Sequence, residues 1–364
     1  MTEQIITHQD GMIIISWNLY GHQFMGQALN CPKEFRSMDH RFQLFQEKIA
    51  PFLEKQAIFF FQETCTGWRG VLDPFFAQNN YRVTSADYNH GKPCGLGIMI
   101  AYPLDYQLVK MKIHPPSTEI WYEYRELVSE DPMPGDGPLE EGSQELLDYQ
   151  NGLGWEVGKK TTISKKTFED CIMIPNKLIC LHLRKNDHDY YIANYHMPCK
   201  FSFPAVMRLH LETAFSYFNS FVSRKNGSPP IQDSSENEIP PESTQEIEVL
   251  PTNKKITIFC GDLNLLPHNE YLWIIANYYG FKNALYPKTP ESYPITIHSK
   301  NIYFKDSEGN PKTFQGTLDY ILVADENLHL VDYDSRPPIQ EIPEPIPNEH
   351  ECSDHIPIGA CLRF

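Results

Sequence analysis

Positive charge is scarce in this chain. Lys and Arg number 31 against 47 Asp and Glu, a formal net charge of −16 at pH 7 over 364 residues. Proteins that grip long duplex nucleic acid do so with Lys and Arg that displace condensed counterions, so binding by charge alone is excluded. A short strand held in a local site remains compatible, because bound metal ions can supply the missing charge. Long apolar runs are lacking too: nothing approaches the ~18 residues of a membrane span. The opening "MTEQIITHQDG" has no basic segment followed by an apolar one, so no secretory leader is read and a cytoplasmic location is expected. Nine cysteines occur without a single C-x-x-C. That argues against a disulfide framework or a zinc knuckle, and for free thiols in a reducing compartment. No internal repeat is present.

What the chain does have is a series of short apolar runs: 12–16, 57–61, 96–102, 178–183, 190–195, 256–260, 318–323 and 356–364. Several are apolar throughout rather than alternating, as strands covered on both faces are. Two stretches carry helical spacing. Phe35, Met38, Phe42, Phe45, Ile49 and Phe52 recur by threes and fours, with Pro51 expected to bend or end that helix. Met207, Leu211, Ala214, Phe218 and Phe221 repeat the rhythm behind Pro204, which suits a first turn. Residues 129–145 and 224–255 are rich in Pro, Ser and Glu and read as mobile surface insertions within one domain spanning 1–364. Strands mixed with helices throughout indicate an α/β or α+β domain.

The polar residues sit at the ends of the apolar runs. Asn18 follows the first, Glu63 the second and His196 the fifth; Asp262 and Asn264 follow the sixth in "GDLN". Asp319 lies in "GTLDYILV", and Asp354 and His355 precede the last run in "SDH". Each strand delivers a polar group to one rim, which is how a rigid scaffold places a site. The residue types suit phosphoester cleavage. Glu63 can hold a hard cation such as Mg²⁺ through oxygen, with Asn18 and Asp354 beside it. Asp262 can activate or orient water, and Asn264 can hold that water or a phosphate oxygen. His196 and His355 can donate to phosphate oxygens as charge redistributes. Asp319, an acid inside an apolar strand, needs a partner, and His355 is the candidate. Taken singly these residues have plainer readings: "GDLN" is a turn, Asn18 a strand-end cap, Glu63 a solvated acid and His196 a half-buried histidine.

Together, and in this order, "WN", "QE", "NYH", "GDLN", "LDYI" and "SDH" resemble the exonuclease–endonuclease–phosphatase superfamily over about residues 12–364. "CGDLNLLP", "FQGTLDYILV" and "IPNEHECSDHIPI" are similar to its branch of deadenylases, nocturnin, angel proteins and the 2′-phosphodiesterase. The resemblance implies an α+β fold of two packed β-sheets flanked by helices, a four-layer DNase I-like sandwich. It implies a Mg²⁺-dependent phosphodiesterase, with Mn²⁺ as the other candidate ion. Glu63 would be the main metal ligand. Asn18, Asp262, Asn264 and His355 would complete the metal and phosphate site. His196 would bind phosphate, and Asp319 would pair with His355. Phe314, in "FQG", matches an aromatic that stacks on a substrate base, and Arg208 falls near an arginine that follows the histidine motif. The implied partner is single-stranded RNA or an oligonucleotide, cleaved at its 3′ end.

The chain departs from the branch in three places. "NYHMPC" has no Thr before its His, "KPCGLGIMI" lacks an acid before its strand, and the insertions at about 115–165 and 224–255 have no counterpart. A phosphatase or phospholipid hydrolase is the competing expectation, although the P-x-W-C-D-R motif of inositol phosphatases is missing around Gly316–Tyr320. A binding protein that had lost catalysis would lack Glu63, Asp262 or His355, and all three are present.

Overall fold

A computed structural model describes residues 11–88, 95–131, 143–145, 148, 156–223, 254–285, 293–305, 308–324, 329–331 and 344–363. Two six-stranded sheets carry the fold. The first contains β1 (Gly11–Asn18), β2 (Ile58–Gln62), β3 (Tyr81–Tyr88), β4 (Leu96–Pro103), β15 (His329–Val331) and β16 (Ile358–Arg363), in the spatial order β15-β16-β1-β2-β4-β3. The second contains β5 (Gln107–His114), β8 (Leu178–Lys185), β9 (His188–Tyr195), β10 (Lys254–Asp262), β11 (Lys282–Asn283) and β14 (Asp319–Ala324), ordered β11-β14-β10-β9-β8-β5. Short β6 (Val128–Ser129) and β7 (Ile163–Ser164) pair with each other, as do β12 (Ile297–Lys305) and β13 (Pro311–Gly316).

The central strands are apolar throughout because both of their faces are covered. On β1, Met12 and Ile14 join Ile58, Phe60, Ile98 and Ile100 in a core shared with Ile179, Leu181, Ile192, Ile256 and Ile258 of the other sheet. The alternate residues Ile13, Ile15 and Trp17 face outward with Phe59 and Phe61, where α1 (Met38–Leu53) and α2 (Thr66–Gln78) cover them through Phe45, Ile49, Trp68 and Phe76. The period-two alternation of a strand thus feeds two cores at once. Four further helices are α3 (Pro116–Tyr124), α4 (Lys165–Ile172), α5 (Pro204–Ser223) and α6 (Glu270–Tyr278). Leu211, Phe215 and Phe218 of α5 and Leu272 and Ile275 of α6 cover the outer face of the second sheet against Tyr195, Phe259 and Leu322. The layers run helix, sheet, sheet, helix.

The expected helices form, but the first starts at Met38 behind the cap of Ser37, and Phe35 of its apolar set lies in a separate 3-10 turn, Lys33–Phe35. Pro51 lies in the last turn of α1, and Pro204 opens α5. Of the two insertions, residues 132–142 and 224–253 lie outside the described residues. Lys254 and Lys255, expected in the second insertion, instead open β10. They pair with His188 and Asp189 of β9, so the strand runs two residues further out than its apolar stretch.

Candidate active site

The two sheets point six strand ends at one rim. β1 runs parallel to β2 and β9 parallel to β10, so these four strands finish on the same side. β14 runs antiparallel to β10 and β16 antiparallel to β1, so their first residues lie there as well. Asn18, Glu63, His196 and Asp262 therefore arrive from carboxyl ends, and Asp319, Asp354 and His355 from amino ends. Asp319 is the register partner of Asp262.

The backbone at this rim is unusual, and specific residues make it so. A Cβ on Gly261 would lie 1.8 Å from the carbonyl oxygen of Tyr195, so only glycine lets β10 approach β9 there. Glu63 and Asn264 adopt φ of 56° and 49°, and Tyr20 one of 52°. Left-handed conformations at non-glycine residues store strain, and here they turn polar side chains toward one point.

That point is Oδ2 of Asp262. Asn18 Nδ2 donates to it at 2.9 Å and to Glu63 Oε1 at 3.3 Å. His196 Nε2 stands 3.6 Å from the same oxygen and His355 Nε2 3.8 Å. The other oxygen, Oδ1, accepts from the Asn264 backbone N–H at 2.9 Å, while the Asn264 amide donates to the Met197 carbonyl at 2.8 Å. Glu63 Oε2 accepts from the Gly21 N–H at 2.7 Å. Asp319 Oδ2 lies 2.8 Å from His355 Nδ1. Burial opposes a charge on His355, but Asp319, with Asp262 and Asp354 beyond it, outweighs burial and pushes its pKa up to about 10. His355 is thus an imidazolium at neutral pH, with Nδ1 committed and Nε2–H directed at the site. Burial raises the pKa of Asp262, against the opposing pull of His355. Burial, then the charges of Glu63 and Asp262 working against His355, push Asp354 up to about 7.

These residues form the floor of a cavity of about 680 Å³. Glu63, His196, Asp262, Asn264, Asp354 and His355 lie at its base. Its walls are apolar and aromatic, including Tyr20, Phe24, Leu96, Ile174 and Phe201. Lys200 is the one Lys or Arg among the described residues that line it.

A divalent cation fits this donor set. Asp354 Oδ1 is buried without a hydrogen-bond donor, and the charges of Glu63 and Asp262 both act against a charge on Asp354. Oxygen-rich, mutually repelling carboxylates are what a hard cation binds. Asp262, Asp319 and His355 also offer atoms within 4.8 Å of one another. In that trio the imidazole Nδ1 and Asp319 Oδ2 already engage each other at 2.8 Å, which leaves the ring placed as a hydrogen-bonding group.

Two of the expected residues sit apart. Arg208, on α5, does not line the cavity; the groups whose charge it acts on are Tyr124 and Cys171. The helix turns that side chain toward α3 and α4. Phe314, on β13, is half-buried and meets Phe201, ring centroid to ring centroid, at 6.1 Å; Phe201 is the one that lines the cavity. Cys199 is exposed and lines the cavity.

Sequence reasoning missed several supports. Arg41, 1% exposed, donates to the carbonyls of Leu19 at 2.6 Å, Tyr20 at 2.7 Å and Cys352 at 2.7 Å. It ties the turn after Asn18 to the segment entering Asp354 and His355. Thr296 Oγ1 accepts from the N–H groups of Leu318 and Asp319 at 2.9 and 3.2 Å. Gln62 donates to Asn194 Oδ1 at 2.8 Å, joining the sheets just beneath the floor. Arg41 had a signal: it falls on the helical stripe of Met38, Phe45, Ile49 and Phe52, where an apolar residue belongs.

A sandwich of two sheets with carboxylates and imidazoles gathered at its strand ends is the DNase I-like class of phosphoester hydrolases. The Endonuclease/Exonuclease/phosphatase family profile matches residues 15–355, and the chain belongs to that family. No curated protein sequence matches the chain. Solved structures share the fold at low identity. ANGEL2, a 2′,3′-cyclic phosphatase, superposes with a TM-score of 0.59 at 13% identity, covering 97% of this chain and 95% of its own. The human Nocturnin catalytic domain with bound sulfate gives 0.54 at 13% identity, covering 97% and 94%. The mannosyl-6-phosphatase Bt3783 of Bacteroides thetaiotaomicron gives 0.51 at 14% identity, covering 97% and 100%.

Proposed function

We propose that this chain is a divalent-metal-dependent phosphodiesterase that hydrolyses phosphodiester bonds at RNA 3′ ends or in short oligonucleotides, with Mg²⁺ as the ion. The observation that carries this reading is the convergence of Glu63, His196, Asp262 and His355 on one cavity floor beneath apolar walls, with Asn18 bonded to Asp262 and Glu63 from behind. A cavity of about 680 Å³ is the size of a small-ligand site, and apolar walls suit a nucleoside better than a charged strand.

Glu63, Asp354 and Asn18 are the residues that would hold the ion, Asn18 after rotating its amide. When bound, Mg²⁺ polarises the phosphate and stabilises charge on the leaving oxygen. Asp262 orients water at the phosphorus, and its environment favours taking a proton from that water. Asn264 fixes the carboxylate of Asp262 through its backbone N–H. His355 donates a charged hydrogen bond from Nε2 to a phosphate oxygen, its ring fixed by Asp319. His196 donates from the other side.

A second reading is hydrolysis of a terminal phosphate, either a 2′,3′-cyclic phosphate on RNA or a sugar or nucleotide phosphomonoester. Among the described residues only Lys200 brings a Lys or Arg to the cavity lining, which favours it, because a long strand would find little charge there to track. Both readings are tested by incubating the protein with Mg²⁺ or EDTA and a substrate panel. The panel holds oligo(A) in 3′,5′ and 2′,5′ linkage, RNA ending in a 2′,3′-cyclic phosphate, mononucleotides and a sugar phosphate. Mg²⁺-dependent shortening of oligo(A) supports the first reading, and loss of the terminal phosphate alone supports the second. Turnover of nothing in the panel overturns both.

A further inference from the structure

Two histidines face Asp262 Oδ2, and their rear partners differ. His355 is backed by a carboxylate, Asp319. His196 is backed by a phenol: the hydroxyl of Tyr88 lies 2.5 Å from its Nδ1. Tyr88 ends β3, is 3% exposed and lines the cavity. Its ring meets the imidazole at 6.1 Å and 65°, edge toward face. The backbone of His196 is pinned as well, its carbonyl accepting from Asn176 Nδ2 at 2.7 Å. No sequence motif marks Tyr88, and the following segment, "KPCGLGIMI", lacks the acid expected before its strand.

Resting on the hydrolase reading above, we propose that Tyr88 is a positioning residue for His196. Its hydroxyl donates to Nδ1 and selects the tautomer that carries its hydrogen on Nε2, the nitrogen facing the phosphate. Two independent contacts agree on that assignment. A buried phenol must find an acceptor, and the hydrogen-bond partner of this one is Nδ1. At the far edge of the ring, Nε2 faces acceptors, Asp262 Oδ2 at 3.6 Å and Glu63 Oε1 at 4.0 Å. A neutral imidazole has one donor and one acceptor nitrogen, and the hydrogen bond at one fixes the role of the other. A ring that rotated or carried its hydrogen on Nδ1 would present a lone pair to a phosphate oxygen and repel it. Phenol burial, with Glu63 and Asp262 nearby, holds the Tyr88 pKa well above its usual value, so the group stays a donor.

The test is ¹⁵N NMR of the Mg²⁺-loaded protein labelled at histidine, with His196 assigned by the signal lost in His196→Gln. The expected pattern is a neutral ring protonated at Nε2, and Tyr88→Phe shifts it toward a mixture of tautomers while the His355 signals stay in place. On the substrate that the panel identifies, Tyr88→Phe lowers kcat about 10-fold, the size of loss typical when an orienting partner of a histidine is removed, and leaves KM in place. In a His196→Gln background the same change costs nothing further, because the effect acts through that ring. A wild-type ring protonated at Nδ1 or at both nitrogens overturns the proposal without needing any variant. So does an equal loss from Tyr88→Phe in the His196→Gln background. A ring protonated at Nε2 in a protein that hydrolyses nothing would sink the hydrolase reading and leave the tautomer assignment intact.

Discussion

The floor of the cavity and its rim are made of different material. Floor residues sit at strand ends between two cores: Asp262 is 1% exposed, His355 3% and Asn264 4%. Each is held by several hydrogen bonds to backbone or to another floor residue. Rim residues come from loops, where Met173 is 79% exposed and Phe201 36%. A close-packed interior tolerates little adjustment, so the floor has one geometry. Loops tolerate change without disturbing the sheets. On the proposed function the reaction and the choice of substrate should therefore separate on this scaffold, the floor governing the first and the rim the second.

Substitutions that strike the floor hardest sharpen that contrast most. Asp262→Ala should lower turnover about 1,000-fold or more, the scale of a lost general base, while thermal unfolding shows a folded protein. Turnover close to wild type in that variant would remove Asp262 from the mechanism. EDTA should abolish activity; Mg²⁺ should restore it and raise the Tm of the wild type, but not that of Glu63→Gln. Asp319→Asn leaves the ring of His355 in place but removes the charge that holds its proton. It should cost about 100-fold in kcat, near the loss seen when one oxyanion donor is removed.

The rim should behave differently. Phe201→Ala is expected to raise KM about 10-fold for a nucleotide substrate, the scale of one lost stacking contact, with kcat nearly unchanged. A fall in kcat as large as that of the floor variants would break the separation. Below the floor, a last change should touch stability alone. His210 is fully buried, with Nδ1 near the Tyr195 hydroxyl and Nε2 near the Cys171 carbonyl. Burial lowers its pKa to about 4. The unfolded chain binds a proton near pH 6.5 and the folded chain only near 4, so stability falls as pH drops through that window. The total is about 3 kcal/mol. Denaturant titrations of His210→Gln should show a shallower loss between pH 6.5 and 4, and a slope equal to wild type would rule His210 out as the cause.

Much of the fold was legible because its central strands are apolar on both faces. Each of the eight apolar runs became a strand, and the two helical stripes became α1 and α5. The elements without such patterns were harder to see. β3 and β5 are edge strands with mixed exposure, and α2, α3, α4 and α6 are short. For the floor, ordered motifs at strand ends named the residues that meet. Tyr88 was not readable as a support, because a tyrosine at the end of a strand looks ordinary until its partner is known; Arg41 was marked only as a charge on an apolar stripe, which does not say what it holds. Arg208 shows the reverse error: nearness in sequence to the histidine motif says nothing about which way a helix turns a side chain, and α5 turns this one elsewhere.

The sequence by itself determined which segments are buried strands, where each ends, and that acids, amides and imidazoles wait at those ends. Burial is written locally, in runs of apolar residues, and a strand end needs only a glycine or a polar residue to mark it. Only the tertiary structure decided that these ends share one cavity, which histidine meets a carboxylate and which a phenol, and that Phe201 rather than Phe314 lines the wall. Those outcomes depend on strand direction, register and the packing of one sheet on the other. Residues hundreds of positions apart meet through them, and no local pattern records the meeting.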